Sequence, residues 1–529
     1  MKNRHQIALN TPSTKADYSG LSRDELLDVI VDRDKVAAAK DEALKHIEKR
    51  VRLLEDLLRL EKVKRFARSS EKMTQQECLF SDEELKDCLA SNDEKDLLEE
   101  AQSEEPKKKK RKPGSGRKPL SKSIPREQVK LELSEQERAG AASTFFTVVK
   151  EELDITPAKV KVIEYMQEKA ILINDGKRSV VAAQMPKHPL KGAIGSIGLL
   201  CFIIISKFCD GLPLNRLEKI LSRYGGSVTR ATMASWLIRL SIQLTPLMNL
   251  MREHQNNAKY IQMDETEIRV LKETDKSPWS KKYMWVTLGG PPDKKCVLFE
   301  YDPSRGKEVP LRLLEDFRGK LQTDGYASYN ECCKKYELIR LGCWDHARRK
   351  FYEAFKAVPI HARYRTHACA ALKLIRKLYR VEDEIKEMTA IERYEIRQKK
   401  SVPTLNRLKK WLDENMPKVD KKSLTYSAML YTNNQWQYLV EFCNDGNAHA
   451  SNILAENAIR PLACGRKAWL FADTPAGARA TATYFSLVES AKLNNLDPNK
   501  YIRYVIEKLA YSESVEDIEA LLPWNVNCA

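Results

Sequence analysis

One aspartate interrupts a part of this sequence that otherwise reads as a buried β-strand. Asp264 lies inside the apolar run from Tyr260 to Thr266, where a buried carboxylate costs free energy unless a cation or partner compensates it. Asp324 ends a second strand-like run, and Glu456 lies in a helical stretch. Converging carboxylates are the hard oxygen ligands that Mg²⁺ prefers, and paired Mg²⁺ ions drive phosphoryl displacement. Together these acids predict an enzyme that cuts or joins nucleic-acid backbones, although each one alone reads as an ordinary acid at a loop edge.

The order of elements around these acids predicts a multidomain α/β protein with a ribonuclease-H-like core. Turn residues separate strands at 260–271, 282–288 and 295–302, a helix at 309–317, and strands at 320–324 and 338–343. Asp264 then lies within the first strand, and Asp324 lies at the end of the fourth. The expected parts of the core are a first part at 256–354, a helical insertion at 355–445, and a last part with Glu456 and C-terminal helices at 446–515.

Residues 21–75 have the spacing of a coiled coil. Apolar side chains recur every seven residues at Ile30, Ala37, Leu44, Val51 and Leu58. Such a heptad favours helices that associate with one another, so we expect a homo-oligomer through this segment. A helix that reads DNA is the alternative.

Residues 76–124 are first acidic and then basic, and we expect them to form a disordered linker. The candidates for contacts with DNA phosphates in this linker are Lys107, Lys108, Lys109, Lys110, Arg111, Lys112, Arg117 and Lys118. The run KKKKRK also resembles a nuclear localisation signal, but that interpretation requires a eukaryotic host, which nothing else in the sequence supports.

Two further segments precede the predicted core. Residues 125–190 alternate apolar and polar positions, which suggests a small, partly β module. Residues 191–255 are helical in pattern, and within them 212–224 and 229–242 imitate a helix-turn-helix around a Gly-Gly turn. Thr229 would cap the second helix and Arg230 would reach DNA. Any two helices joined by Gly-Gly give the same pattern, so both interpretations stay open.

The composition agrees with a nucleic-acid partner. The net charge is +17 and the pI is about 9.1, values that suit a polyanion but also simply keep a large protein soluble. No run approaches the roughly twenty apolar residues of a membrane span, and the amino terminus has no apolar signal core. The twelve cysteines include no CxxC pair. We therefore expect a reduced, cytoplasmic protein without a membrane partner.

The residues around Glu456 allow two interpretations. Asn452, Glu456 and Arg460 are four apart and share one helical face, which could present a metal ligand flanked by a polar group and a phosphate clamp. The alternative is an exposed ion pair between Glu456 and Arg460. Downstream, Arg466 and Lys467 precede a Trp-Leu-Phe run that could hold a phosphate or stack a base, or could be core aromatics with two solvated cations.

A Cys-Trp-Asp-His sequence starts at Cys343 and ends at His346. Cysteine and histidine at this spacing can bind zinc, but no second pair stands at a convincing distance, so zinc is not expected. We interpret His346 and Cys343, with Asn452, as residues that support the site. Arg348 and Arg349 would then face DNA.

Many of these motifs together resemble the insertion-sequence 66 family of transposases. The matching motifs, spread over about residues 25–510, include Asp264-Glu265-Thr266, Asp324-Gly325-Tyr326, Cys343-Trp344 with His346-Ala347-Arg348-Arg349-Lys350-Phe351, Ala455-Glu456 with Ile459-Arg460-Pro461, and Gly465-Arg466-Lys467 with Trp469-Leu470-Phe471. The resemblance implies that Asp264, Asp324 and Glu456 are catalytic residues that bind two Mg²⁺ ions, or Mn²⁺ ions in their place. It also implies metal-dependent cleavage at the terminal inverted repeats of a mobile element, then attack of the 3′-hydroxyl on target DNA.

The same resemblance implies further properties of the chain. It implies small accessory proteins of the same element as partners and a bacterial, nucleoid-associated location. The family usually carries a four-cysteine zinc module before the core, but residues 137–180 contain no cysteine, so the module at 125–190 lacks that zinc site. The family pattern also differs at Ser451-Asn452-Ile453 and at Ala468, which leaves the triad intact.

Two other functions compete with an active transposase. A catalytically decayed or co-opted copy would bind DNA through residues 107–118 and 212–242 without doing chemistry. A general ribonuclease-H-like nuclease would explain the acids but not the coiled coil or the candidate DNA-binding segments.

Overall fold

A computed structural model describes residues 22–66, 159–174, 177–291 and 293–526, and this part of the chain is a mixed α/β protein, mostly helical, with one five-stranded mixed sheet. The predictions for the linker at 76–124, including Lys107 to Lys112, Arg117 and Lys118, lie outside the described residues, as does most of the predicted module at 125–190.

The elements are numbered in chain order. The helices are α1 (Arg23–Phe66), α2 (Ile197–Phe208), α3 (Leu214–Arg223), α4 (Arg230–Gln243), α5 (Thr245–Asn256), α6 (Glu308–Leu313), α7 (Ser328–Lys335), α8 (Trp344–Ala357), α9 (His367–Ile385), α10 (Ala390–Ile396), α11 (Val402–Asn415), α12 (Leu424–Asn434), α13 (Trp436–Val440), α14 (Ile453–Trp469), α15 (Pro475–Leu493), α16 (Pro498–Leu509) and α17 (Val515–Glu519). The strands are β1 (Lys169–Asn174), β2 (Lys177–Ala182), β3 (Tyr260–Ile268), β4 (Lys282–Gly289), β5 (Cys296–Asp302), β6 (Lys320–Gln322) and β7 (Ile339–Leu341).

The described residues divide into two compact units. The first contains α1, residues 251–267 and residues 281–460. The second contains residues 159–250, 268–280 and 461–526. Each unit therefore draws on segments that are far apart in the sequence.

The five-stranded sheet of the first unit has the strand order β5-β4-β3-β6-β7. Strands β4 and β5 are antiparallel, whereas β6 runs parallel to both β3 and β7. Gln262 on β3 lies opposite Gln322 on β6 in this register. The strands fall where the sequence predicted them, but β6 and β7 are shorter, and the predicted helix at 309–317 ends at Leu313. Asp264 therefore lies on the central strand.

Two apolar clusters surround this sheet. One packs α6 and α7 on the strands and contains Ile261, Met263, Trp285, Val309, Phe317, Leu321 and Tyr329. The other joins α8 to the helices that follow it and contains Trp344, Phe351, Phe355, Ile375, Leu378, Leu408 and Phe442. Residues 355–445 are helical apart from short connecting turns, as the sequence predicted. The helix α8 thus belongs to both the helical cluster and the edge of the sheet.

The second unit is helical apart from an antiparallel hairpin of β1 and β2. Helix α4 packs against α15, and α2 packs against α16. The side chain of Thr229 caps α4 by accepting a hydrogen bond from the backbone N–H of Thr232, which confirms the predicted cap. Gly225 has φ +83° and ends the turn after α3, a conformation that suits glycine. No helix in the described part of the chain is long and apolar enough to cross a membrane.

Candidate active site

Among the described acids of the first unit, Asp264 has the pKa that is raised furthest above its usual value. It lies on β3, and its Oδ1 accepts a hydrogen bond from the backbone N–H of Glu265 at 2.9 Å. Burial raises the pKa of Asp264 well above its usual range, and the carboxylates of Glu265, Glu456 and Asp324 raise it further. Acids from three separate segments of the sequence therefore lie close enough to repel one another.

Asp324 comes directly after β6, where the chain turns sharply. Its Oδ1 accepts a hydrogen bond from the backbone N–H of Tyr326 at 2.9 Å, and its carbonyl accepts one from Arg340 at 2.6 Å. A Cβ atom at Gly325 would lie 2.6 Å from the ring of Tyr431, so only glycine fits beside this acid. The hydrogen bonds of Asp324 and the close approach of Tyr431 to Gly325 therefore fix the backbone at Asp324.

Buried glutamines join the start of α14 to the sheet. The side chain of Gln262 donates to the carbonyl of Ser451 at 3.3 Å and accepts from the backbone N–H of Ala455 at 3.1 Å. The side chain of Gln322 donates to the carbonyl of His449 at 2.7 Å. Because buried polar groups need partners, these bonds fix the entry of α14 against β3 and β6. They bring Glu456, in the first turn of α14, beside Asp264.

Asn452 adds a second connection between α14 and the sheet. Its side-chain Nδ2 donates to the carbonyl of Met263 at 3.0 Å, next to Asp264. Its backbone N–H donates to the thiol of Cys343 at 3.3 Å. Asn452 thus joins the start of α14, the helix that carries Glu456, to β3 and to Cys343. The role of Asn452 and Cys343 in supporting the site stays a prediction.

The Glu456 carboxylate lies beside two side chains of α8. Arg349 donates to its Oε2 at 3.1 Å, and His346 Nδ1 lies 3.7 Å from its Oε1. Burial alone would lower the pKa of Arg349, but the nearby Glu456 carboxylate raises it. The structure therefore pairs Glu456 with Arg349, a partner that the sequence did not predict.

Glu265 is a buried acid that sequence reasoning missed. Its side chain is 2% exposed, accepts a hydrogen bond from the Tyr329 hydroxyl at 2.6 Å, and forms an ion pair with Arg305 at 2.5 Å. The Arg305 guanidinium also lies over the ring of Tyr326, 4.0 Å from its centroid. Burial nevertheless raises the pKa of Glu265, and Asp324 contributes to that rise. The only sequence sign was that Glu265 directly follows Asp264.

Two sets of side chains here have metal-binding chemistry. Cys343, His346 and Glu456 offer ligand atoms that lie within 4.8 Å of one another, and His346 Nδ1 and Glu456 Oε1 are buried without a hydrogen-bond partner. Within the described residues this set has one ligand fewer than the four of a structural zinc site. Asp264, Asp324 and Glu456 offer oxygen ligands only, the chemistry that Mg²⁺ prefers.

The predicted DNA-contacting cations occupy different environments. Arg348 Nε lies 3.6 Å from Asp345 and is mostly buried, and Arg349 pairs with Glu456. Arg230 is exposed at the start of α4. Lys467 is exposed at the end of α14, where Arg460 and Arg466 are partly buried. Arg348 and Arg349 therefore already serve contacts inside the protein.

Comparisons with known proteins agree with this architecture. Residues 192–480 match the family described as "Transposase IS66 family", and residues 486–524 match the "IS66 C-terminal element". Residues 53–129 match "Transposase C of IS166 homeodomain". The first match covers Asp264, Asp324 and Glu456 in one stretch.

Three similar relatives come from Sinorhizobium fredii (strain NBRC 101917 / NGR234). The uncharacterized protein y4qI is 33% identical over 390 residues, covering 71% of this chain and 70% of the relative. The uncharacterized proteins y4jD and y4hP are 27% and 28% identical, covering 77% and 71% of this chain and 81% and 70% of the relatives. The family match and the first relative together place the chain: it belongs to the IS66 family of transposases.

Proposed function

We propose that this protein is a DNA transposase that cleaves DNA at the ends of its own element and transfers the strands into target DNA. Asp264, Asp324 and Glu456 are its catalytic residues in this proposal. The observation that carries it is that burial, together with the nearby carboxylates of Glu265, Glu456 and Asp324, raises the pKa of Asp264 well above its usual range. A folded protein that keeps several acids close together is a candidate for metal binding.

The residues present fit a divalent cation. Asp264, Asp324 and Glu456 supply only carboxylate oxygens, and Glu456 Oε1 is buried without a hydrogen-bond partner. When bound, two Mg²⁺ ions, or Mn²⁺ in their place, would activate a water or 3′-hydroxyl nucleophile and stabilise the leaving oxygen. A cation would also relieve the repulsion that raises the pKa of Asp264.

The protein's own side chains prepare the site. Arg349 neutralises Glu456, and the Glu265–Arg305 pair braces the strand that carries Asp264. The strand order β5-β4-β3-β6-β7, with β4 antiparallel to β5 and the last three strands parallel, supports a ribonuclease-H-like core. In this proposal the core consists of residues 256–354 and 446–515, with the helices of residues 355–445 inserted between its parts.

The family and its homeodomain match imply DNA binding. We propose that the DNA includes the terminal inverted repeats and the target, and that Arg230, Arg460, Arg466 and Lys467 contact it together with the basic linker. Helix α1 exposes the heptad side chains Ile30, Leu44, Val51 and Leu58, which supports association of two copies through a coiled coil. Accessory proteins of the element and an association with the bacterial nucleoid belong to the same proposal.

The test is cleavage of DNA that carries the ends of the element. The wild-type chain is expected to nick this DNA with Mg²⁺ and not with EDTA, and Asp264→Asn is expected to lower the rate at least a thousandfold, because the amide removes a charged metal ligand. Asp316→Asn is the matched control, since Asp316 is an exposed acid of the same unit. It lies outside the group of Asp264, Glu265, Asp324 and Glu456, which we call the acidic cluster. Equal nicking by Asp264→Asn would overturn the role of Asp264. Specific binding without any nicking by the wild type would instead identify a decayed or co-opted DNA-binding protein.

A further inference from the structure

The second unit contains a cavity of about 940 Å³ that lies apart from the proposed catalytic residues. We call it the Lys207–Trp469 cavity after the residues at the ends of α2 and α14 that line it. Its walls include small side chains, among them Ala234 of α4 and Gly477 and Ala480 of α15. The volume is within the range of pockets that bind small molecules or single nucleotides.

The charge of this cavity is positive. Lys207, Arg230 and Arg239 line it, and the acid among its lining residues, Asp473, forms an ion pair with Lys272 at 2.8 Å. Burial lowers the pKa of Lys207 to about 8, and no carboxylate contributes to that shift. An anion in the cavity would supply the counter-charge that Lys207 lacks among the described residues.

Three helices begin at this cavity. The first turns of α3, α4 and α15 contribute Leu214, Arg230 and Gly477 to its lining, and α3 starts after Pro213 without a side-chain cap. Helix N-termini carry partial positive charge and free N–H groups that bind phosphate. The helix starts and the three cations therefore favour the same kind of ligand.

The aromatic side chains that line the cavity, Trp469 and Phe208, indicate a second property of its ligand. The Lys207 ammonium lies 5.1 Å from the ring centroid of Trp469 and 5.4 Å from that of Phe208. A flat aromatic ligand can stack on these rings.

The segment after Trp469 is held in an unfavourable conformation. Leu470 has φ +66°, which is rare for a side chain of this kind, and it is 63% exposed next to Phe471 at 41%. The pairing of Ala472 with the segment at Val270 keeps the chain in this position. Strained backbone and exposed apolar side chains at one cavity rim are typical of a binding site.

We propose that the Lys207–Trp469 cavity binds one unpaired nucleotide of DNA, with its base stacked on Trp469 and its phosphate at Lys207 and Arg230. The inference rests on the proposed function only in taking DNA as the substrate, and it requires no cleavage. Base stacking on aromatic side chains is tolerant of sequence and contributes substantially to binding of single strands. Positive charge and aromatic rings in one cavity suit a nucleotide better than an acidic peptide, which has no base to stack.

The experiment compares two DNA probes with the full-length chain in EDTA, so that no cleavage occurs. One probe is a blunt duplex, and the other carries a short single-stranded extension with natural or abasic nucleotides. The wild type is expected to bind the natural extension roughly 5- to 100-fold more tightly than the blunt duplex, because each stacked base contributes that much. The abasic extension keeps the phosphates but has no base to stack, so it is expected to bind more weakly than the natural extension and more tightly than the blunt duplex.

Matched variants locate the effect. Trp469→Ala is expected to remove the preference for the natural extension over the abasic one, whereas Trp469→Phe keeps most of it. Trp279→Ala is the control, because Trp279 is exposed in the same unit and packs on Arg269, outside the cavity. Lys207→Met is expected to weaken binding of the extended probe about tenfold and to reduce its salt dependence by about one phosphate contact.

Each other outcome overturns the inference. It is wrong if the two probes bind equally, if the abasic extension binds as tightly as the natural one, or if Trp469→Ala keeps the preference. Competition by an oligoglutamate as strong as by an oligothymidylate of equal charge would assign the cavity to an acidic peptide. Nicking in Mg²⁺ without a preference for the natural extension would support the proposed function and contradict nucleotide binding in the cavity. A preference for the natural extension without nicking in Mg²⁺ would support nucleotide binding and contradict the proposed function.

Discussion

Glu265 and Glu456 of the first unit are each paired with an arginine, Arg305 and Arg349, whereas Lys207 of the second unit faces two aromatic rings and no carboxylate among the described residues. Both regions bury charged side chains, but only in the first of the two regions do side chains of opposite charge compensate them. Asp264 is the exception there, since its neighbours are acids that raise its pKa.

The difference indicates what each region lacks. A cation beside Asp264 would complete the acidic cluster, and an anion beside Lys207 would complete the cavity. The difference also predicts that removing a charged side chain changes the free energy of unfolding in opposite directions in the two regions. Loss of a partner in the cluster leaves a buried acid uncompensated, whereas loss of Lys207 removes a charge that the fold does not compensate.

The largest effect is expected where the acidic cluster is assembled. Gln262→Leu removes the amide that bonds Ser451 and Ala455 and leaves those backbone groups buried without partners. We expect the free energy of unfolding to fall by about 3 kcal/mol, measured by urea denaturation, together with loss of nicking. Gln437→Leu, at an exposed glutamine of α13, should change stability by less than about 0.5 kcal/mol. A stable Gln262→Leu protein would show that α14 docks by other contacts.

The next effect tests compensation within the cluster. Arg305→Met keeps the length of the side chain but leaves the buried Glu265 with only the Tyr329 hydroxyl. Because Arg305 is partly exposed, the expected loss of stability is about 2 kcal/mol, less than for a fully buried pair. Chemical denaturation at neutral pH measures it. An unchanged midpoint would mean that Glu265 does not depend on its arginine.

Lys207→Met makes the corresponding test in the Lys207–Trp469 cavity. Because the substitution removes a buried charge, it should stabilise the protein by about 1 kcal/mol at pH 7. The folded-state pKa of Lys207 is about 8, below the usual 10.5, so the unfolded chain binds more protons between these values. The wild type should therefore gain stability as the pH rises from about 8 to 10.5 and lose it as the pH falls back.

The mutant should lack that gain. Denaturation curves at pH 7 and pH 10 for both proteins provide the measurement. A destabilised Lys207→Met protein with an unchanged pH dependence would contradict the idea that Lys207 is uncompensated.

The smallest effect concerns competition for Glu456. Arg349→Gln removes the cation that neutralises this carboxylate, so a divalent metal no longer has to displace it. We expect the Mn²⁺ concentration for half-saturation to fall roughly two- to fivefold, as for a partly exposed ion pair, measured by calorimetry. Lys350→Gln, on the same helix, is the control. Weaker metal binding by Arg349→Gln would show that Arg349 positions Glu456 rather than competing for it.

Much of the architecture could be predicted from local patterns. The strands β3 to β7, the helical character of residues 355–445 and the cap of α4 by Thr229 follow from apolar periodicity and turn residues, and the structure has them at or near the predicted positions. Asn452 contacts both Met263 and Cys343, and the prediction that Asn452 and Cys343 support the site stays a prediction. The catalytic roles of Asp264, Asp324 and Glu456 remain predictions.

What the sequence determined by itself was which residues form strands and helices, because periodicity and capping act between neighbours in the chain. The tertiary structure decided which distant side chains meet. Gln262 bonds to the segment before α14, Arg349 pairs with Glu456, and Lys207 lies over the ring of Trp469. These contacts join segments that no local pattern connects, because they depend on how helices pack and on which buried polar groups find partners.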